Sequence, residues 1–271
     1  MGKKEGFQIL YYSCPQIWAW HYSRIHAIKR DIDHMAVLFP FEKTLYEKEN
    51  QPATYVGHPL TQKVAAATAD PRRLCALGFE TTKPIIALLP GSRKNELKAL
   101  LPLFIDIITR LSPHMPDVQW MLPMAPNLSK EDFISNPIPG NIILLEHQDA
   151  HLIQHCQAAV VTSGTATLEV ALHQVPLVIV YKTNPINYWI AKKVIKVPYI
   201  GLCNLIAKKM IAKEFIQHHA TAEAISAELE KILTNTSYRQ DILEKMQDLK
   251  AMLGKKDCAQ TAADVSLSLI K

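Results

Sequence analysis

No apolar run in the 271 residues approaches the ~18–20 needed to span a membrane; the densest stretch, Ala99 to Leu111, is broken by Pro102, Asp106 and Arg110. A spanning helix is therefore not expected. Phe7 to Tyr12 is too short for the apolar part of a secretory leader and runs straight into Ser13-Cys14-Pro15, so no signal peptide is expected either. The five cysteines, at positions 14, 75, 156, 203 and 258, include no Cys-x-x-Cys pair. Their scatter argues against a zinc ribbon or a disulfide framework and in favour of a reducing compartment. Missing too are the Gly-x-x-x-x-Gly-Lys-Ser/Thr loop of nucleoside triphosphatases, the Gly-x-Gly-x-x-Gly of dinucleotide dehydrogenases and the Gly-x-Ser-x-Gly elbow of α/β hydrolases. ATP hydrolysis, hydride transfer and serine-based hydrolysis fall in rank accordingly.

Acidic residues are absent from one long window. Between Lys182 and Lys213 stand seven lysines and no acid, whereas the rest of the chain holds 23 bases against 25 acids. The net charge of +5 is thus a local patch, which suits an anionic ligand or membrane surface and not the extended basic face of a nucleic-acid binder. What is present is globular in composition, 48% hydrophobic and 20% charged, and long enough for two compact cores.

Short β-branched runs alternate with helix-period segments, the pattern of βα units around a parallel sheet. Strands are expected at Gln8–Tyr12, His34–Phe39, Thr54–Val56, Pro84–Leu89, Gln119–Met124, Asn141–Leu145, Ala158–Val161 and Leu177–Tyr181. Helices are expected at Ser23–Arg30, Phe41–Glu49, Glu96–Leu111, Asp149–Gln157 and Thr165–His173, with a short one opened by Asp70-Pro71. Beyond Thr221 only helices are expected, at Thr221–Leu233, Tyr238–Leu253 and Ala259–Ile270. Gly57-His58-Pro59 separates three early strands from a fuller group of five. The expected fold class is α/β, with one complete Rossmann-like domain over 57–220, preceded by the C-terminal remnant of a second over 1–56 and followed by C-terminal helices over 221–271.

Two strand-turn-helix junctions carry chemistry. Ile85-Ile86-Ala87-Leu88-Leu89-Pro90-Gly91-Ser92-Arg93 aims backbone N–H groups beyond the strand's carboxyl end and adds a permanent cation suited to phosphate. Thr162-Ser163-Gly164-Thr165-Ala166-Thr167-Leu168-Glu169 offers a second helix N-terminus with flanking hydroxyls. Either alone reads as an ordinary capped βα turn; two in one sheet strengthen the phosphate reading.

Tyr12-Ser13-Cys14-Pro15-Gln16-Ile17-Trp18-Ala19-Trp20, Phe39-Pro40-Phe41-Glu42, Gly57-His58-Pro59, Leu89-Pro90-Gly91-Ser92-Arg93 and Thr162 to Glu169 resemble, in order and spacing, the lipid-A-disaccharide synthase family. The likeness continues through Tyr181-Lys182, Tyr188-Trp189, Asn204-Leu205 and Lys213-Glu214-Phe215-Ile216-Gln217. It implies the two-Rossmann glycosyltransferase B (GT-B) fold. It further implies condensation of UDP-2,3-diacylglucosamine with 2,3-diacylglucosamine 1-phosphate, releasing UDP with inversion. By that resemblance Arg93 neutralises the diphosphate, Ser163, Gly164 and Thr165 cradle it, Glu169 contacts a ribose or sugar, and Asn204, Glu214 and Gln217 line the donor side of the cleft. Tyr12, Ser13 and Trp18 belong to the cleft's other side. Family members carry a further stretch of roughly one hundred residues before the segment matching Tyr11, and their proposed catalytic aspartate lies there. No catalytic residue is therefore assigned, and the chain alone is expected to bind donor without transferring sugar. A nucleotide-sugar-binding module, or half of a split enzyme, is the rival reading; a nucleotide-sugar 2-epimerase on the same fold is a third. Cys203 stands where the family usually has proline before the asparagine matching Asn204.

No metal or other cofactor is expected. Asp31-Ile32-Asp33 matches a metal-holding Asp-x-Asp but lies at the amino end of a strand, the wrong end of a parallel sheet for a ligand. His147, His151 and His155 recur every four residues without a His-Glu-x-x-His or a third carboxylate ligand, which reads as a helix face. Lys192, Lys193 and Lys196 interleave with Ile186, Tyr188, Trp189, Ile190, Val194 and Ile195, the composition of an interfacial helix on anionic lipid or of a core-facing helix with a solvated lysine side. A cytoplasmic protein peripheral to the inner membrane is expected; homo-oligomerisation stays open.

Overall fold

The computed structural model describes residues 6–19, 21–68, 70–133, 141–184, 188 and 197–270. Compactness groups Met1–Ala66, Ile186–Pro198 and Leu249–Lys271 into one unit and Ala67–Pro185 and Tyr199–Asp248 into another. This grouping follows packing, whereas the boundaries at 56/57 and 220/221 follow chain order. Cys258 and the helix that starts with it pack against Ala36 and Val56, which is why the chain's end groups with its beginning.

The first unit holds a parallel sheet in the order β1 (Leu10–Tyr12), β2 (His34–Val37), β3 (Ala53–Tyr55). Helices α1 (Ile25–Asp31) and α2 (Pro40–Lys48) intervene, and Ile17, Ile25, Met35, Val37 and Tyr46 form their shared core. Helix α3 (Pro59–Ala66) follows His58. Glu42, in the first turn of α2, is buried, accepts the Trp18 indole N–H at 2.9 Å and the Phe39 N–H at 3.1 Å, and has its pKa raised by burial. The His58 ring stacks on Phe39, with centroids 5.2 Å apart.

The second unit is a six-stranded parallel sheet in the order β6-β5-β4-β7-β8-β9, comprising β4 (Ile85–Leu89), β5 (Gln119–Pro123), β6 (Ile142–Leu145), β7 (Ala158–Thr162), β8 (Leu177–Tyr181) and β9 (Glu214–Ile216). Its central strands are apolar because helices cover both faces; β4 reads Ile-Ile-Ala-Leu-Leu and β7 is wholly buried. The helices are α4 (Pro71–Ala76), α5 (Lys94–Leu111), α6 (Thr165–Leu172), α7 (Leu202–Ala207), α8 (Ala222–Thr234) and most of α9 (Thr236–Leu253), whose end from Leu249 groups with the first unit; α5 packs on α8. Helix α10 (Cys258–Ser268) belongs to the first unit.

β9, α3 and α7 go beyond the sequence reading. Asp149–Gln157, expected as a helix, is instead a three-residue-per-turn helix over His147–His155. Asp149, Leu152 and Ile153 are buried there, and an i, i+3 turn carries 149 and 152 to one side. Asp149 receives the Arg73 guanidinium through both oxygens, at 2.8 and 2.6 Å, and that cation lowers its pKa. The lysine-aromatic segment, with Lys192, Lys193 and Lys196, lies outside the described residues. No described helix is long and apolar enough to cross a membrane.

Candidate active site

The chain builds the second sheet outward from β4 to β5 and β6, then crosses to β7 on the other side of β4. Between β4 and β7 the winding reverses, and the crevice beyond the carboxyl ends of such strands is where parallel sheets bind ligands. Leu89 and Val161 are register partners at that point. Beyond them lies a cavity of about 360 Å³. Leu89, Gly91, Ser92, Arg93 and Glu96 form one lip, Thr162 to Ala166 the other, and Pro123, at the end of β5, and Ala125, just after it, complete the wall. Arg93, Ser163, Gly164 and Thr165, from two junctions about seventy residues apart, are thus brought to one cavity, as a phosphate site requires.

The two lips are capped differently. At the β4–α5 lip, Gly91 has φ +110° and Glu96 folds back over the turn. Its carboxylate accepts the N–H groups of Ser92 and Arg93 at 3.1 and 3.3 Å and pairs with the Arg93 guanidinium at 3.0 Å. The Ser92 carbonyl accepts from Asn127 at 2.5 Å. At the β7–α6 lip the cap residue is Gly164, whose φ of +155° and ψ of −165° fall where only glycine sits comfortably, and no side chain caps the helix. Thr165 and Ala166, in the first turn, line the cavity, and no side chain among the described residues bonds their N–H groups.

The β7–α6 lip is held from behind. Thr167, fully buried, donates its hydroxyl to the Gly164 carbonyl at 2.8 Å and accepts the Leu202 N–H at 3.0 Å. Ser163 donates its hydroxyl to the Ile200 carbonyl at 2.8 Å. Glu214, on β9, accepts the Ile200 and Gly201 N–H groups at 3.0 and 2.9 Å and an Asn204 amide N–H at 2.9 Å. Asn204 uses its whole amide: it also donates to Ala212 at 2.7 Å and accepts from Ile211 and Ala212 at 2.8 and 3.0 Å. Gln217, at φ +53°, exchanges hydrogen bonds with both backbone groups of Thr183, each at 3.0 Å. Asn204, Glu214 and Gln217 are not among the residues lining this cavity; Glu214 and Asn204 tie Ile200 and Gly201 to Ile211 and Ala212, and Gln217 holds Thr183 just after β8. Glu169 lies one turn into α6 and is not part of the cavity wall. Sequence reasoning missed Glu96, Thr167 and Asn127. Glu96 had a readable signal, an acid in the first turn of a helix entered from a glycine turn.

Asp33 accepts the Ile9 N–H at 2.8 Å and Asp31 pairs with Arg30 at 2.7 Å. Among the described residues no cluster of three His, Cys, Asp or Glu could hold a metal ion. Trp18 contacts Glu42 and, edge-on, Phe41 at 5.1 Å within the first unit; Tyr12 is partly exposed and meets the Cys258 thiol at 3.3 Å.

A six-stranded parallel sheet with a cavity at its winding reversal, preceded by a second parallel βα sheet, places the chain in the α/β class of the GT-B architecture. Among solved structures, a Staphylococcus aureus MnaA–UDP co-structure matches 96% of this chain and 68% of its own with a TM-score of 0.61 at 10% identity. The glycotransferase of kitacinnamycin matches 99% and 72% with a TM-score of 0.56 at 13% identity. The sequence profile of the Lipid-A-disaccharide synthetase (LpxB) family matches residues 2–266. A Lipid-A-disaccharide synthase of Coxiella burnetii (strain Dugway 5J108-111) is 43% identical over 268 residues, 99% of this chain and 71% of that protein. The chain belongs to the lipid-A-disaccharide synthetase family, a family of lipid A glycosyltransferases that use a nucleotide sugar and a lipid acceptor.

Proposed function

We propose that the cavity receives the diphosphate of UDP-2,3-diacylglucosamine. The sugar then passes with inversion to 2,3-diacylglucosamine 1-phosphate, and UDP is released. The observation that carries this is the meeting of Arg93 with the uncapped N-terminus of α6 in one cavity at the winding reversal. UDP departs with growing negative charge, so donors and cations must be in place beforehand; a guanidinium and two oriented N–H groups supply them. The Staphylococcus aureus MnaA structure is a complex with UDP, which agrees with this ligand class. The test is calorimetry with UDP together with a disaccharide-forming assay on the labelled acceptor. Arg93→Ala is expected to weaken UDP by about 1.5–3 kcal/mol, as for loss of charge-assisted hydrogen bonds. Equal affinity for UDP in both proteins removes Arg93 from the site.

The lipid nature of both substrates supports a second part of this reading, that the chain works at an anionic membrane surface through the lysine-aromatic segment. Each lysine near such a surface is worth about 1 kcal/mol and is screened within a Debye length. Replacing Lys192, Lys193 and Lys196 by glutamine is expected to release the protein from phosphatidylglycerol vesicles at moderate salt. Undiminished co-sedimentation of the triple variant argues instead for a helix packed on the protein's own core.

A further inference from the structure

Glu96 brings a carboxylate into the wall of a cavity read as a diphosphate site. It is fixed there. Its Oε2 accepts both the Ser92 and the Arg93 N–H, Oε1 takes the guanidinium, and a Cβ on Gly91 would collide with the Glu96 side chain. The Arg93 side chain is 79% exposed and meets Glu96 at 3.0 Å, which leaves the guanidinium able to turn toward a ligand while the carboxylate stays on the backbone. The other lip has no internal anion.

We propose that Glu96 makes the donor site discriminate by charge, weakening its hold on UDP relative to the intact nucleotide sugar and so favouring product release. The proposal rests on the diphosphate reading above. In the transfer, the acceptor oxygen bonds to the anomeric carbon and its proton leaves to a base. The bond from that carbon to the β-phosphate oxygen breaks, and its electron pair stays with UDP. UDP therefore carries one more negative charge than the same diphosphate in the donor. Arg93 attracts that added charge and Glu96 repels it. Two opposite charges 3.0 Å apart largely cancel at longer range, so the pair grips an extra charge far less than a lone guanidinium does. Glu96 touches no reacting atom; it is a positioning residue.

Glu96→Gln removes the charge and keeps an amide oxygen for the two N–H groups. Calorimetry compares UDP with UDP-N-acetylglucosamine, in which a sugar caps the terminal phosphate charge. The variant is expected to bind UDP roughly threefold to tenfold tighter, with less than about a twofold change for the capped ligand. The ratio of the two affinities within one protein is unaffected by a uniform loss of folded material, so a less stable variant still gives an answer. An unchanged ratio overturns the role of Glu96 while leaving the site in place. Failure of the parent protein to bind UDP at all overturns the diphosphate reading and this proposal with it.

Discussion

The β4–α5 and β7–α6 junctions have the same architecture and opposite electrostatics. The first satisfies its own helix terminus: Glu96 accepts the backbone N–H groups there and holds the arginine. The second leaves its terminus open and directs its polar side chains backward, with Ser163 to Ile200 and Thr167 to both Gly164 and Leu202. The proposed anion site thus depends less on the residues that face the ligand than on the bracing that spares them from capping. Ser163 and Thr167 are hydroxyls spent on structure so that Thr165 and Ala166 keep their N–H groups available.

The comparison is broken most strongly by removing the brace. Asn204→Ala leaves Ile211, Ala212 and Glu214 without their buried partner, and a loss of about 3–5 kcal/mol in unfolding free energy is expected by denaturant titration, since each orphaned buried group costs about 1–3 kcal/mol. A loss under about 1 kcal/mol would show that the loop re-forms without the amide. A smaller, sharper effect separates the two helix termini. Proline at the first helical position deletes one N–H with little strain, because Arg93 before Lys94 is extended and Gly164 before Thr165 has no Cβ to clash with the ring. Thr165→Pro is expected to weaken UDP by about 0.5–1.5 kcal/mol, whereas Lys94→Pro, at the terminus already occupied by Glu96, leaves UDP affinity within about 0.5 kcal/mol of the parent. Equal losses would mean that the junctions share the ligand evenly. The smallest expected effect is none: with Arg93 supplying the cation, excess EDTA leaves UDP affinity unchanged, and a loss restored by magnesium would give the diphosphate a metal partner that the two junctions lack.

Much of this was legible in the sequence because the central strands are continuous apolar runs and each junction carries a glycine where the turn needs one. The apolar runs containing β4, β7 and β8 stand out for that reason. The short elements did not. Glu214-Phe215-Ile216 is too brief to show a period, and Leu202–Ala207 resembles any apolar stretch. The hydrogen bonds of Asn204, Glu214 and Gln217 were illegible for a different reason: a family pattern names a polar residue without naming its partners within the fold. The 147–155 segment misled because its four-residue histidine spacing imitates an α-helix, while the buried positions, including the aspartate under Arg73, obey a three-residue turn.

The winding reversal between β4 and β7 also ties occupancy to folding. Its two lips are far apart along the chain and meet only when Leu89 and Val161 are in register, so half of the sheet offers no site. A ligand that binds only the finished sheet adds its free energy to the native state, about 2.7 kcal/mol at a hundredfold excess over Kd. Thermal unfolding followed at increasing UDP is therefore expected to shift upward, by an amount that reports affinity for the finished sheet.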